Sequence, residues 1–187
     1  MKAIILILTF SFLTNSCSKS KIDNNTYFNS DLNWKMEIPK TWEQTPNSKL
    51  NENKEKAKEI LSEEDPNFYE IDEDKFALVL TRDKFNSFNS IYFTRPNFKF
   101  SELTKEIQRD KVNKYKVANQ YFKTDTTKTE TIIIDNIPFL HYKMISDDLT
   151  LFAFAGLVKN YEFNISLKSN GIGENEILKN LYQSKFK

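Results

Sequence analysis

Few side chains in this sequence carry chemistry scarce enough to read on its own. Of 187 residues, one is Cys and one is His. Cys17 can serve as a nucleophile, a metal ligand or a site of covalent modification. His141 can move a proton or hold a metal, but either role needs partners that spacing does not supply. A single Cys closes no intrachain disulfide, and one Cys with one His cannot complete a zinc site, so no metal is expected. The acidic run Ser62-Glu63-Glu64-Asp65, continued by Glu70, Asp72, Glu73 and Asp74, could suggest calcium. It lacks the alternate-ligand spacing and central Gly of an EF-hand loop, and reads as a solvated loop. No GxSxG, GxxxxGK[ST] or HExxH occurs. Three Gly leave little material for a phosphate cradle, so Asn170-Gly171-Ile172-Gly173 reads as a flexible lead into a helix and no cofactor is expected. A carboxylate pair for glycoside hydrolysis is a tertiary property, and nothing here singles one out.

Charge narrows the classes further. Lys and Arg total 27 against 26 Asp and Glu, a formal net charge of +1. Neutralising phosphates requires a clear basic surplus, so nucleic acid is not an expected partner. Only three of the basic residues are Arg (Arg82, Arg95 and Arg109), and the abundant Lys is not read as a binding patch. Aromatics are plentiful, with 16 Phe, eight Tyr and two Trp. Most belong in a core. Phe85 and Phe88 fall in the polar stretch from Lys84 to Ser90, where they are candidate contacts for a partner or ligand.

The N-terminus gives Cys17 a context. Lys2 precedes an apolar run of 11 residues, Ala3 to Leu13 (AIILILTFSFL). A helix crossing the bilayer needs about 20 such residues, so the run suits the h-region of a secretory signal peptide better than a membrane span. Leu13-Thr14-Asn15-Ser16-Cys17 then resembles a bacterial lipoprotein signal, although Thr14 stands where Leu is usual. That resemblance implies cleavage after Ser16, acylation of Cys17 (palmitate among the chains) and attachment to a membrane in the cell envelope. Ser18 after Cys17 is compatible with sorting to the outer membrane. One acyl chain anchors only marginally, whereas the three implied by the resemblance hold firmly. Plain secretion with a free Cys17 thiol is the alternative. Loss of residues 1–16 takes away Lys2 and leaves 26 basic against 26 acidic residues.

The rest divides into a polar tether and one domain. Residues 17–26 have no core-forming pattern and read as the lipidated Cys with its tether. No linker interrupts residues 27–187. Short strands are expected around Tyr27-Phe28 and Trp34-Met36-Ile38, flanking a turn from Asn29 to Asn33, with Trp42 on a third extended piece. A helix is expected over 48–64, ending near Pro66. Phe76 to Thr81 and Ser90 to Thr94 read as paired strands, and Ser101 as the N-cap of a helix reaching about Tyr115, with Leu103, Ile107 and Tyr115 inward.

Four further strands follow: Thr129 to Ile134, Phe139 to Ile145, Leu149 to Val158 and Tyr161 to Leu167. The polar pairs between them fit an antiparallel meander. Leu151 to Val158 is apolar on both faces and reads as a central strand. Tyr161, Phe163, Ile165 and Leu167 share one face; Glu162, Asn164, Ser166 and Lys168 share the other. In the strand before these, His141 shares a face with Phe139 and Lys143, opposite Leu140, Tyr142 and Met144, and reads as a structural or surface histidine. Glu174 to Tyr182 reads as a last helix, buried through Ile177, Leu178 and Leu181. The class is α+β: a mostly antiparallel sheet with helices packed on it.

The segment Tyr27-Phe28…Trp34-Lys35-Met36-Glu37-Ile38-Pro39-Lys40-Thr41-Trp42 resembles the opening of PsbP-like domains. Ile134-Asp135-Asn136-Ile137-Pro138, Tyr161-Glu162-Phe163-Asn164-Ile165 and Ile177…Leu181…Ser184-Lys185-Phe186 are similar to that family's second half. Asn136 stands where the family often has Gly, a mild departure because Asn also tolerates positive φ. The resemblance implies an α-β-α sandwich serving as an accessory or binding subunit, with no catalytic set to carry over. The expected protein is therefore a lipid-anchored envelope component with a non-catalytic domain that binds a protein or small ligand. A toxin-neutralising, immunity-type lipoprotein is one alternative, and an envelope hydrolase using a carboxylate pair is another.

Overall fold

A computed structural model describes residues 21–23, 25–46, 48–52, 55 and 75–187. Cys17, the acidic run from Ser62 to Asp74 and most of the helix expected over 48–64 lie outside the described residues; 48–52 and 55 are helical.

Two antiparallel sheets carry the fold. Strands β1 (Lys21–Asp23), β2 (Thr26–Asn29) and β3 (Trp34–Glu37) form the smaller sheet with β12 (Lys185–Phe186), in the order β1-β2-β3-β12. The expected turn between β2 and β3 is closed by Asn29, whose Oδ1 accepts the Leu32 N–H at 3.0 Å, and by Asn33 at φ 53°. Strands β4 (Glu43–Gln44), β5 (Lys75–Thr81) and β6 (Ser87–Thr94) open the larger sheet. Strands β7 (Thr124–Thr126), β8 (Glu130–Ile134), β9 (Ile137–Ser146), β10 (Thr150–Val158) and β11 (Tyr161–Ser169) complete it. Its order is β4-β5-β6-β11-β10-β9-β7, with β8 also on β9. Helix α1 (Phe100–Tyr121) links β6 to β7, and α2 (Glu174–Tyr182) precedes β12. The α+β class is as the sequence implies.

The turns explain the meander. Asp135 and Asn136, at φ 47° and 68°, take the two left-handed positions of the tight β8–β9 connection, and Lys159 at φ 56° turns β10 into β11. On one face of the large sheet the alternating residues of β5, β6, β9, β10 and β11 meet Tyr27, Trp34 and Met36 of the small sheet and Ile177 and Leu181 of α2. Gly156 is needed in that layer: a Cβ there would stand 2.7 Å from the Phe139 ring. The opposite face receives α1, with Leu103 against Leu140 and Ala155. β10 lies between β9 and β11 and is covered on both sides, as its two apolar faces imply.

The structure adds strands that the sequence reading did not expect (β1, within the stretch read as a tether, β7 and β12) and moves several boundaries. β6 begins at Ser87 rather than Ser90, because the turn before it is tighter than its polar composition suggests. The Asp83 carboxylate accepts the N–H groups of Phe85 and Asn86 at 2.8 and 3.0 Å. α1 starts after Lys99 instead of Ser101, since the Glu102 carboxylate reaches back to the Lys99 N–H at 2.8 Å. It also runs to Tyr121, six residues past the expected end. The lead into α2 is pinned: Asn170 Oδ1 accepts from Asn86 at 2.9 Å and from the Ile172 N–H at 3.2 Å.

Candidate binding cleft

The register of the large sheet builds a cleft beneath α1. Tyr142, Ala153, Ser166 and Asn89 stand directly opposite one another across β9, β10, β11 and β6. Leu140, Ala155, Asn164 and Ile91 form the adjacent row. Leu103 closes the helix onto the sheet at Ala155. Beside it the side chains on β10 and β11 are small or short, leaving a cleft of about 570 Å³ between α1 and the sheet. This lies within the range of about 300–1,000 Å³ usual for small-molecule sites. Ile91, Ile107 and Leu140 give it apolar walls, and α1 supplies Arg109, Asp110, Asn113 and Lys114 at the rim.

Charge is balanced at both ends. Arg95 leaves the end of β6 and bridges two carboxylates, with Nη2 3.2 Å from Glu106 and Nε 3.4 Å from Glu162. Its guanidinium lies 5.0 Å from the ring centroid of Phe93 and 4.7 Å from that of Phe98, a cation–π sandwich that holds it in place. Buried Glu162 also accepts Asn164 Nδ2 at 2.8 Å. Asp110 pairs with Lys114 at 2.7 Å. The neutral groups differ. The Tyr142 hydroxyl is buried and has no hydrogen-bond partner among the described residues. Burial, reinforced by the Asp110 charge, pushes its pKa up to about 12, so it stays a neutral phenol. Lys111 does not neutralise it: Nζ lies 5.5 Å from the ring centroid and donates to the Thr127 carbonyl.

The residues singled out from the sequence lie elsewhere. Phe88 is not an exposed contact. It alternates inward with Ser90 and Tyr92, pairs across from Leu80 and is fully buried in the core. Phe85, on the turn before β6, is exposed with Lys84 Nζ 4.7 Å from its ring centroid. His141 points to the opposite face from the cleft, stacked on Phe154 at 4.4 Å, with Nδ1 3.1 Å from the Ala153 carbonyl. Among the described residues, no group of three or more His, Cys, Asp or Glu is placed to hold a metal, and no helix is long and apolar enough to cross a membrane.

The sequence reading put Asn164 and Ser166 on the polar face of β11 but did not place the cleft over them. The available signal was Ala153 and Ala155 alternating with Phe152 and Phe154: two small residues on one side of a central strand leave room there. It also missed the exposed apolar end of α1, Val117, Tyr121 and Phe122, by ending the helix early.

His141 yields a pH prediction. Burial lowers its pKa below the ordinary 6.5, with the Ala153 carbonyl opposing. The unfolded chain therefore takes up the proton first. Stability is fully present above 6.5 and is lost as pH falls from there through the lower folded value. The urea midpoint should drop as the pH falls below the ordinary 6.5, and His141→Gln should flatten that part of the profile. An unchanged slope would remove His141 as the cause.

The arrangement of sheets and helices is that of the PsbP fold. The solution structure of cyanobacterial PsbP (CyanoP) from Synechocystis superposes with a TM-score of 0.56 over 87% of this chain and 91% of that one, at 8% sequence identity. No protein-family model and no curated protein matches the sequence.

Proposed function

We propose that the protein is a lipid-anchored component of the bacterial cell envelope: acylated Cys17 holds it to the outer membrane, and the PsbP-like domain binds rather than transforms. The observation that carries the binding half is the pairing of charges around the cleft. Glu106 and Glu162 share Arg95, and Asp110 is held by Lys114, so the carboxylates are engaged in structure. Neutral donors and acceptors are left to face an incoming ligand. A hydrolase needs a carboxylic acid and a carboxylate poised across a bond, which suits this pairing poorly. The exposed Val117, Tyr121 and Phe122 favour a protein partner as a second reading, including the toxin-neutralising one.

The anchoring half is tested by intact mass spectrometry of native protein extracted from membranes. The expected mass is that of residues 17–187 plus acyl groups. An intact leader, or an unmodified Cys17 on a secreted form, would defeat it.

A further inference from the structure

A strand at the edge of a sheet presents unpaired backbone groups to which another strand can add, and proteins ordinarily blunt such edges by shortening or charging them. Four edge strands here are blunted in that way. β4 and β12 have two residues each, β1 has three with Lys21 and Asp23, and β7 has three around Asp125. The fifth, β8, is different. It reads Glu-Thr-Ile-Ile-Ile over Glu130–Ile134, with neither Pro nor Lys, and pairs with β9 in an unbroken register. Among the described residues no strand lies on its outer side. Ile133 is 63% exposed there, with Thr131 exposed on the same face.

The register fixes which backbone groups face outward. The β8–β9 turn closes between Ile134 and Ile137, so Glu130, Ile132 and Ile134 direct their N–H and C=O groups to β9. Pro138, which has no N–H, stands opposite Ile133, as this alternation requires. The Thr127 N–H, donating to the Lys143 carbonyl at 3.0 Å, continues the same alternation along β9. Thr131 and Ile133 therefore point their backbone groups away from β9. A second β8, laid antiparallel about a two-fold axis at Ile132, sets each Thr131 against the Ile133 of the other copy. That register satisfies every outward group of the strand. An axis at Thr131 would set Ile133 against Thr129, before the strand begins. An axis at Ile133 would set Thr131 against Asp135, which the turn holds at φ 47°. The axis at Ile132 also keeps the two Glu130 carboxylates at opposite ends of the ladder, each facing an Ile134. We infer that β8 is a self-pairing edge, through which two copies of this chain join their large sheets as a symmetric antiparallel dimer. So short a ladder makes a weak, concentration-dependent dimer rather than an obligate one. The inference rests on neither the acyl anchor nor a ligand in the cleft.

The test is sedimentation equilibrium of the full chain in density-matched detergent, joined to disulfide trapping on a Cys17→Ser background, where an introduced cysteine is the sole thiol. The wild-type chain should show a reversible monomer–dimer equilibrium. Thr131→Pro deletes an outward N–H and leaves the β8–β9 bonds intact. It should weaken dimerisation at least about tenfold, the scale of one hydrogen bond lost from each copy. Ile133→Lys, at an exposed site, should act in the same direction by charging the edge. Both variants should keep the wild-type circular dichroism spectrum. Under mild oxidation Ile132→Cys should link two copies, since facing residues of a non-hydrogen-bonded pair have Cα atoms about 4.5 Å apart. Ile133→Cys should not, because its counterpart lies on the diagonal at about 7–8 Å. A monomer at every concentration with no Ile132→Cys link, a dimer indifferent to Thr131→Pro and Ile133→Lys, or equal linking of Ile132→Cys and Ile133→Cys would each overturn the inference. Anchoring is read separately by mass and the trapping needs no acyl chain, so a failure here leaves the envelope assignment standing.

Discussion

Replacing Trp34 with Ala should remove about 3–5 kcal/mol of stability, the range for deleting a large aromatic from a close-packed interior. Domains of this kind have only about 5–15 kcal/mol in total, so much of the margin goes with one side chain. The reason is position. Trp34 is fully buried on β3, the strand that brings the small sheet onto the large one. Its ring meets Phe163 of β11 edge-on at 5.0 Å, Tyr27 of β2 at 5.6 Å, and stacks on Phe186 of β12 at 6.4 Å. Removing it opens a cavity shared by both sheets and α2. Trp34→Phe should cost far less, about 1–2 kcal/mol, because it keeps an aromatic at the centre and eliminates an indole N–H with no partner among the described residues. Urea unfolding followed by circular dichroism measures both variants. Equal losses would show that the ring is not the keystone of the layer.

Arg95→Met should produce the second largest loss, about 2–3 kcal/mol. Breaking a buried ion pair from one side costs about 3–5 kcal/mol because the remaining charge stays desolvated. Arg95 is itself 35% exposed, which places the effect below that range. Glu162, at 5% side-chain exposure, retains the Asn164 amide but loses its guanidinium. The diagnostic variant is therefore the double one. Adding Glu162→Gln to Arg95→Met removes the stranded charge and should recover at least half of the loss. If the double variant is no more stable than Arg95→Met, the contribution of Arg95 lies in its packing between Phe93 and Phe98 rather than in charge.

Patterns governed by neighbouring residues were legible in the sequence. The period of two in Tyr161, Phe163, Ile165 and Leu167 assigned both faces of β11 correctly, and the doubly apolar Leu151 to Val158 marked the central strand. The division of β9 into a Phe139–His141–Lys143 face and a Leu140–Tyr142–Met144 face also stands in the structure. What depends on distant partners was not legible. Phe88 looks like a loop residue until Asp83 is seen to tighten the preceding turn and Leu80 to receive it across the strand. The pairing of Glu162 with Arg95, on strands far apart in sequence, needs the β6–β11 register. So does the row that joins Tyr142 to Asn89, since a shift by one residue on any strand would turn its polar group to the other face.

That same β6–β11 pairing has a kinetic consequence. Strands β5 and β6 form one local hairpin and β7 to β11 a local group, and among the described residues only the β6–β11 ladder sews them into a single sheet, with all of α1 threaded between. The β5–β6, β8–β9, β9–β10 and β10–β11 hairpins close short loops and can form early, whereas the seam must gather a long intervening segment before any of its bonds repay the lost chain entropy. Arg95 and Glu162 sit on that seam, so charge removed there should slow the zipping of the two halves.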